Sequence, residues 1–221
     1  MNLAIIGAGA WGTALGICAA RSGADVLIWS YDGKIADFEG VDTPKNIQIT
    51  REMHDLSGCD AWIMVTPAAF FRETARKARQ HYKNVPIIIC TKGAEPETGC
   101  FMSEILHAEI PECKNFGILS GPQFASEVAR GIPTGSTIAG TSIARNAAHD
   151  ALRNLYLTDS EDVIGAEICG IGKNAVALIC GYNSVAAAGE NERALIFTLA
   201  WGEVVKIGTA AGAKLETFFE L

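Results

Sequence analysis

Residues 3–32, LAIIGAGAWGTALGICAARSGADVLIWSYD, decide the fold of the chain. The stretch opens with an apolar run from Leu3 to Ile6, which is typical of a strand buried on both faces. Apolar residues then recur at helical spacing, as at Trp11 and Leu15. A second apolar run from Asp25 to Trp29 predicts another strand. The stretch therefore predicts a strand–helix–strand unit, which is the beginning of an α/β fold.

A glycine motif occupies the junction between the first strand and the helix. Gly7, Gly9 and Gly12 give the pattern G-x-G-x-x-G. The first glycine permits a tight turn, the second lets a pyrophosphate approach the backbone, and the third lets the helix pack closely on the strand. Glycines also serve ordinary turns. Here, however, the strand, motif, helix and second strand follow in the order that a dinucleotide site requires, with the phosphates at the helix N-terminus.

The chain continues to alternate between strands and helices as far as about residue 155. A polar stretch at residues 30–56 is predicted to be irregular. Further strands are predicted at residues 59–65, 85–90, 117–119 and 135–139, and helices at residues 71–82, 101–110, 124–131 and 143–155. This alternation predicts the α/β class, with a Rossmann-type doubly wound, mostly parallel sheet.

The character of the chain changes at about residue 166. Two long, Ala-rich helical patterns follow at residues 167–189 and 190–212, with no alternating strand pattern. We therefore expect an NAD(P)-binding Rossmann domain at residues 1–165. Residues 166–221 are expected to form the start of an all-helical substrate domain, with little room for a complete one.

Composition limits the partners and the compartment. The net charge is −7, which argues against nucleic acid as a partner. The seven cysteines are odd in number and show no C-x-x-C, so we expect free thiols, no metal centre and a reduced cytoplasmic compartment. We expect no membrane span, because the later apolar stretch is interrupted by Lys173. An anionic substrate would need positive groups placed locally.

Two lysines are the candidates for such groups. Ligands of doubly wound sheets lie beyond the carboxyl ends of the strands, where the loops at Thr66-Pro67 and at Lys92 are predicted to meet. Lys92 directly follows an apolar strand, although a surface lysine at a strand end is the alternative. Lys173 lies in an apolar, small-residue helix, where it is either a snorkelling lysine or a group whose pKa burial lowers until it can exchange a proton.

At these positions the chain resembles the bacterial NAD(P)-dependent glycerol-3-phosphate dehydrogenase family. The resemblance is carried by GAGAWGTALG, CTKGAEPETG, LSGPQFASEVARGIPT, EICGIGKNAVAL and the late GEN and ETFFEL segments. These segments cover essentially the whole chain. LSGP-x-FA-x-EVA and G-x-x-KN are far more specific than the glycine motif.

The resemblance implies a role for each matching residue. It makes Lys173 the proton donor to a ketone oxygen and Lys92 a contact of both substrate and cofactor; both are expected to be catalytic. The expected contacts of NAD or NADP are Gly7, Gly9, Ala10, Trp11, Gly12, Tyr31, Thr66, Pro67, Lys92 and Ala125. The expected contacts of the substrate are Lys92, Gly121, Gln123, Lys173 and Asn174.

The implied reaction interconverts dihydroxyacetone phosphate and sn-glycerol 3-phosphate, feeding glycerophospholipid synthesis. A 2-hydroxyacid or ketopantoate-type reductase, and a non-catalytic dinucleotide-binding remnant, are the alternatives. The full-length protein is expected to be a homodimer. A mild preference for NAD is expected, because Asp32 lies near the ribose position of the motif and no arginine follows Trp29 directly.

Two departures from the family pattern carry expectations of their own. Position 123 is commonly Ser or Thr in the family and is Gln here. The family continues past T-F-x-x-L into segments with an aspartate and a phosphate-binding arginine. We therefore expect the 221-residue chain to be a truncated member that binds cofactor but is nearly inactive, with unpartnered apolar faces at residues 194–205.

Overall fold

The computed structural model describes residues 1–185 and 189–220, with the side chains at 183–185 and 220 left out. Eight strands form one sheet in the order β3-β2-β1-β4-β5-β6-β7-β8. The strands are β1 (Asn2–Ile6), β2 (Asp25–Trp29), β3 (Ile47–Thr50), β4 (Ala61–Met64), β5 (Ile87–Ile89), β6 (Phe116–Ser120), β7 (Gly135–Gly140) and β8 (Tyr156–Ser160). The α-helices are α1 (Ala10–Arg21), α2 (Ala68–Arg79), α3 (Met102–Glu109), α4 (Ala125–Arg130), α5 (Ser142–Ala151), α6 (Val163–Val185), α7 (Glu190–Ala210) and α8 (Thr217–Glu220).

The strand order reverses beside β1. The chain moves outward from β1 through β2 to β3 and then returns to place β4 on the other side of β1, with Ile6 paired to Met64. Every strand pair is parallel except β6 and β7. Ligands of such sheets bind in the crevice at the reversal, outside the carboxyl ends of the strands. The loops after β1, β2, β4, β5 and β6 are therefore the expected ligand-binding loops.

The sheet is buried on both faces. Leu3 and Ile5 point into one apolar cluster with α1, while Ala4 and Ile6 point into another with α2 and α3. This two-sided burial explains why β1 and β4 are continuously apolar rather than alternating. The predicted mostly parallel α/β architecture is confirmed.

Two strands differ from the sequence expectation. The stretch predicted to be irregular contains β3, whose residues Ile47–Thr50 extend the sheet at one edge, and β8 forms the other edge. Both edge strands are short and polar, with sequences IQIT and YLTDS, and neither has a fully buried residue. Edge strands are covered on fewer sides, so they lack the apolar run that identifies central strands.

The long helices α6 and α7 pack against each other, and α6 also packs against β6 and β7. Ile168, Cys169, Ala213 and Phe218 form a small third apolar cluster, against which Val204 and Val205 pack. The expectation for residues 194–205 is therefore half right, since Leu195, Phe197 and Leu199 are exposed whereas Val204 and Val205 are covered. The exposed residues lie on the part of α7 away from this cluster.

Helix α6 has the length and apolar composition of a membrane span between Val163 and Tyr182. A core helix of a globular domain passes the same test. This helix carries the buried Glu167 and the half-buried Lys173, and its first half packs on β6 and β7. We therefore interpret α6 as a core helix.

Candidate functional site

The glycine loop after β1 has the geometry of a phosphate cradle. Gly7 adopts φ +123°, a conformation that other residues rarely adopt. A Cβ on Gly12 would collide with the backbone oxygen of Gly7 and would lie 2.8 Å from Cγ1 of Val65. A Cβ on Gly9 would meet no atom within 4 Å. Gly12 is therefore required by packing, whereas Gly9 leaves open space in front of the N-terminus of α1.

A cavity of about 910 Å³ opens beside this loop. Its walls come from the glycine loop, the loop after β2, and the start of α2. The lining residues include Gly7, Gly9, Trp29, Tyr31, Asp32, Lys34, Thr66, Pro67, Phe70 and Lys77. Five of the ten predicted cofactor contacts line this cavity, namely Gly7, Gly9, Tyr31, Thr66 and Pro67.

These residues fit a dinucleotide. The hydroxyl of Thr66 and Nε1 of Trp11 are buried and have no hydrogen-bond partner within the described part of the chain. Buried polar atoms ordinarily have partners, so two orphaned atoms beside an open glycine loop indicate a polar ligand. The free N–H groups and positive dipole end of α1 suit its phosphates. Ala10 lies in the same first turn of the helix.

The loop after β4 is tied to the loop after β5. The hydroxyl of Thr91 donates a hydrogen bond to the backbone oxygen of Thr66 at 2.7 Å. Gly93 adopts φ +127°, and a Cβ there would lie 3.1 Å from Cβ of Ala68. These contacts hold the backbone on both sides of Lys92 against the loop that lines the cofactor cavity.

Lys92 and Lys173 lie at the end of β6 but belong to different elements. Lys92 is in the loop after β5, and Lys173 is on α6. The ammonium of Lys92 donates to the backbone oxygen of Leu119 at 2.5 Å, and that of Lys173 donates to the backbone oxygen of Gly121. Helix α6 passes close to Lys92, since a Cβ on Gly170 would lie 3.1 Å from Cδ of Lys92. The structure thus brings together the two lysines that the sequence analysis selected from distant segments.

Burial lowers the pKa of both lysines. It lowers the pKa of Lys92 to about 8, and the neighbouring ammonium of Lys173 acts in the same direction. Burial likewise lowers the pKa of Lys173. Perturbed titratable groups in a cleft are characteristic of functional sites, and a lysine poised nearer to neutrality can exchange a proton.

Gly121 and Gln123 complete the same corner. A Cβ on Gly121 would lie 2.7 Å from Oγ of Ser136, so the position accepts only glycine without rearrangement. Ser136 donates to Oε1 of Gln123 at 2.6 Å, which directs the amide nitrogen away from β7. That nitrogen is buried without a partner in the described residues, as is the hydroxyl of Ser120. The corner therefore offers unpaired donors beside two lysines.

Two of the predicted site residues, Asn174 and Ala125, lie at the margins of the corner formed by Gly121 and Gln123. Asn174 follows Lys173 on α6 and is exposed. Ala125 begins α4 and packs against the cluster that contains α1. Neither lines the cavity beside the glycine loop. No cluster of side chains suited to a metal ion occurs in residues 1–185 and 189–220, and the seven cysteines are free.

Sequence reasoning missed two groups that hold the lysines in place. Arg72 on α2 binds Glu95 through two hydrogen bonds of 2.7 Å and also binds Glu109 at 2.9 Å. Glu167 on α6 accepts hydrogen bonds of 2.9 and 2.7 Å from the backbone N–H and hydroxyl of Ser103 on α3. Arg72 thus fixes the loop that follows Lys92, and Glu167 fixes the helix that bears Lys173. Their partners lie 23 to 64 residues away in sequence, so local patterns do not reveal them.

The fold and the site define a dinucleotide-dependent oxidoreductase of the doubly wound α/β class. A family model described as NAD-dependent glycerol-3-phosphate dehydrogenase N-terminus matches residues 2–146, and its C-terminal counterpart matches residues 162–221. The chain belongs to this family.

Relatives and solved structures agree. Glycerol-3-phosphate dehydrogenase [NAD(P)+] of Paramagnetospirillum magneticum is 35% identical, over 100% of this chain and 85% of its own length. The Parvibaculum lavamentivorans protein of the same name is 34% identical, over 100% of this chain and 70% of its own length. The crystal structure of glycerol-3-phosphate dehydrogenase from Coxiella burnetii superposes with a TM-score of 0.90 at 25% identity, covering 99% of this chain and 71% of that one.

Proposed function

We propose that this protein interconverts dihydroxyacetone phosphate and sn-glycerol 3-phosphate with NAD(P)H, and so supplies glycerophospholipid synthesis. The observation that carries the proposal is the pair of half-buried lysines at the carboxyl end of β6, beside a cavity suited to a dinucleotide. Membership in the family supports the same reaction. The bound cofactor supplies the hydride.

The residues of the chain then have distinct tasks. Lys173 donates a proton to the substrate ketone oxygen in reduction and accepts it in oxidation. Lys92 holds the anionic substrate against the cofactor loop, and Gln123 and the backbone at Gly121 orient it. The protein has a net charge of −7, so the two lysines provide locally the positive potential that the whole molecule lacks. Alignment of the proton and hydride donors at one carbonyl is the main contribution of the site.

The pKa of Lys92 leads to a prediction about pH. The ammonium is charged below its pKa of about 8 and loses that charge as the pH rises through this value. The KM for the phosphorylated substrate should therefore rise between pH 7 and pH 9. Lys92→Arg stays charged throughout this range, so its KM should remain flat. Initial rates at several pH values test this, and an equally steep rise in the arginine variant would contradict it.

A substrate panel separates the proposal from its rivals. Dihydroxyacetone phosphate should support NAD(P)H oxidation, whereas ketopantoate and simple 2-oxoacids should not. Turnover with a 2-oxoacid alone would indicate a hydroxyacid or ketopantoate-type reductase. Cofactor binding without turnover on any member would indicate a non-catalytic dinucleotide-binding protein. The control variant is Lys206→Ala, which should keep the substrate profile of the wild type because Lys206 is an exposed lysine on α7 that pairs with Glu203.

Arg72 should act as a positioning residue for Lys92. Arg72→Gln frees the loop held through Glu95, and we expect kcat/KM to fall about tenfold, equivalent to about 1.4 kcal/mol. The matched control is Arg79→Gln on the same helix, which removes an exposed ion pair with Glu112 and should change kcat/KM less than twofold. Arg72→Lys should restore only part of the activity because it lacks the two-pronged contact with Glu95.

A positioning role and a merely structural role for Arg72 predict different pH profiles of KM. If Arg72 positions Lys92, the pH at which KM begins to rise should move in Arg72→Gln, because Lys92 then leaves its buried position. Loss of thermal stability with an unchanged pH profile of KM would contradict the positioning role.

Three further features complete the proposal. We propose that residues 1–165 form the dinucleotide-binding domain and residues 166–221 belong to a helical substrate domain, a division that the two family matches support. We also propose a cytoplasmic homodimer. The seven free thiols support the compartment.

A further inference from the structure

Strand β3 brings an arginine to the end of β2. Trp29 pairs with Thr50 in the parallel ladder, so Arg51 lies beside the first residue of the loop after β2. Nε1 of Trp29 donates to the backbone oxygen of Arg51 at 3.0 Å. A Cβ on Gly33 would lie 3.3 Å from Cδ of Arg51, so the side chain of Arg51 runs along the loop that carries Tyr31. This loop is where doubly wound folds read the adenosine ribose.

The guanidinium of Arg51 is exposed and makes no hydrogen bond or ion pair with any residue that the structure describes. It lines a second cavity, of about 560 Å³, together with Trp29, Tyr31, Lys77 and His81. Trp29, Tyr31 and Lys77 also line the larger cavity beside the glycine loop. A ligand in the larger cavity that extends past Tyr31 therefore reaches Arg51.

The neighbouring charges leave the guanidinium of Arg51 available for an anion. Lys77 is neutralised by Glu73 at 2.6 Å. Asp32 keeps its negative charge, because the backbone N–H of Lys34 and the hydroxyl of Ser30 donate to Oδ1 and lower its pKa. Those bonds direct Oδ1 of Asp32 toward the backbone of the loop after β2. Glu52 also lines the smaller cavity, so Arg51 and Lys34 balance Asp32 and Glu52, and the attraction for an anion comes from the free guanidinium of Arg51.

We propose that Arg51 binds the 2′-phosphate of NADP and makes this protein prefer NADP(H) to NAD(H). The proposal rests on the proposed function, since it takes the larger cavity as the site of the adenosine half. A planar guanidinium binds phosphate through two parallel hydrogen bonds, and Arg51 has all its donors free for that purpose. The proposal differs from the preference for NAD expected from Asp32, because that expectation did not include β3.

Nucleotide fragments test the proposal without turnover. Calorimetric titration with 2′,5′-ADP and 5′-AMP compares two ligands that differ by one 2′-phosphate. Wild type should bind 2′,5′-ADP at least tenfold more tightly. Arg51→Gln should weaken 2′,5′-ADP about tenfold and change 5′-AMP less than twofold, and Arg51→Lys should be intermediate. The control is Arg153→Gln, which removes an exposed arginine that lies between α5 and β8 and pairs with Asp150. It should change neither affinity.

The outcomes separate this inference from the proposed function. Equal affinities for the two fragments, or an unchanged ratio in Arg51→Gln, would overturn the role of Arg51. If dihydroxyacetone phosphate-dependent oxidation of NADH still occurs in that case, the proposed function stands without it. Failure to bind either fragment would overturn both, because the larger cavity would then not be an adenosine site.

Discussion

Lys173→Ala should lower kcat for the reduction of dihydroxyacetone phosphate by at least about 10²- to 10³-fold, the scale expected for loss of a positioned general acid. The ammonium of Lys173 sits against the backbone oxygen of Gly121, and burial lowers its pKa toward the range where proton transfer is efficient. Alanine can neither donate the proton nor polarise the ketone. Stopped-flow or steady-state kinetics at saturating cofactor measure the change.

Three readouts distinguish a chemical role from a structural one. The affinity for NAD(P)H should change little, because the glycine loop is untouched. An added primary alkylamine should restore part of the activity of Lys173→Ala, since a small ammonium can occupy the space left by the side chain. Lys92→Ala should differ by harming both KM and kcat. Survival of kcat within about fivefold in Lys173→Ala would contradict the proton-donor role.

Gly9→Ala and Gly12→Ala should separate ligand binding from folding. Gly9 has φ −65° and ψ 178°, which alanine adopts readily, and its Cβ would meet no protein atom within 4 Å. The methyl group would instead occupy the space in front of the helix N-terminus. We expect dinucleotide affinity to fall at least about thirtyfold, or about 2 kcal/mol. The unfolding free energy should change by less than about 1 kcal/mol.

Gly12→Ala should damage both properties. Its Cβ would collide with the backbone oxygen of Gly7, and backbone cannot move aside as a flexible side chain can. Overpacking of this kind costs about 1–3 kcal/mol or more, which for a chain of this size lowers Tm by roughly 2–12 °C. Thermal unfolding and cofactor titration of the two variants test the distinction. Equal destabilisation by both substitutions would contradict the assignment of Gly9 to the ligand.

The sequence predicts the centre of the sheet well because the central strands are buried on both faces. Residues 3–6, 87–89 and 61–64 are continuous apolar runs, and the glycine motif marks the crevice between them. Lys92 and Lys173 could be selected because a charged residue in an apolar or small-residue setting requires a partner or a function. Their shared proximity to the end of β6 depends on topology.

The edges of the sheet and the supporting contacts could not be predicted in this way. The sequence of β3 resembles a polar loop because β3 is an edge strand with one neighbour. Without β3, the position of Arg51 beside the loop after β2 could not be predicted. The pairing of Arg72 with Glu95 and of Glu167 with Ser103 joins residues far apart in sequence. The orientation of Gln123 likewise depends on Ser136, thirteen positions away on another strand.

Transfer of a labelled hydride tests the central claim most directly. The protein would be incubated with dihydroxyacetone phosphate and NADH or NADPH carrying deuterium at both C4 positions, and the product analysed by mass spectrometry. The account predicts glycerol 3-phosphate with one deuterium at C2, formed at a rate that falls in Lys173→Ala. Oxidation of the reduced cofactor without deuterated glycerol 3-phosphate, in a protein that binds the cofactor, would contradict it.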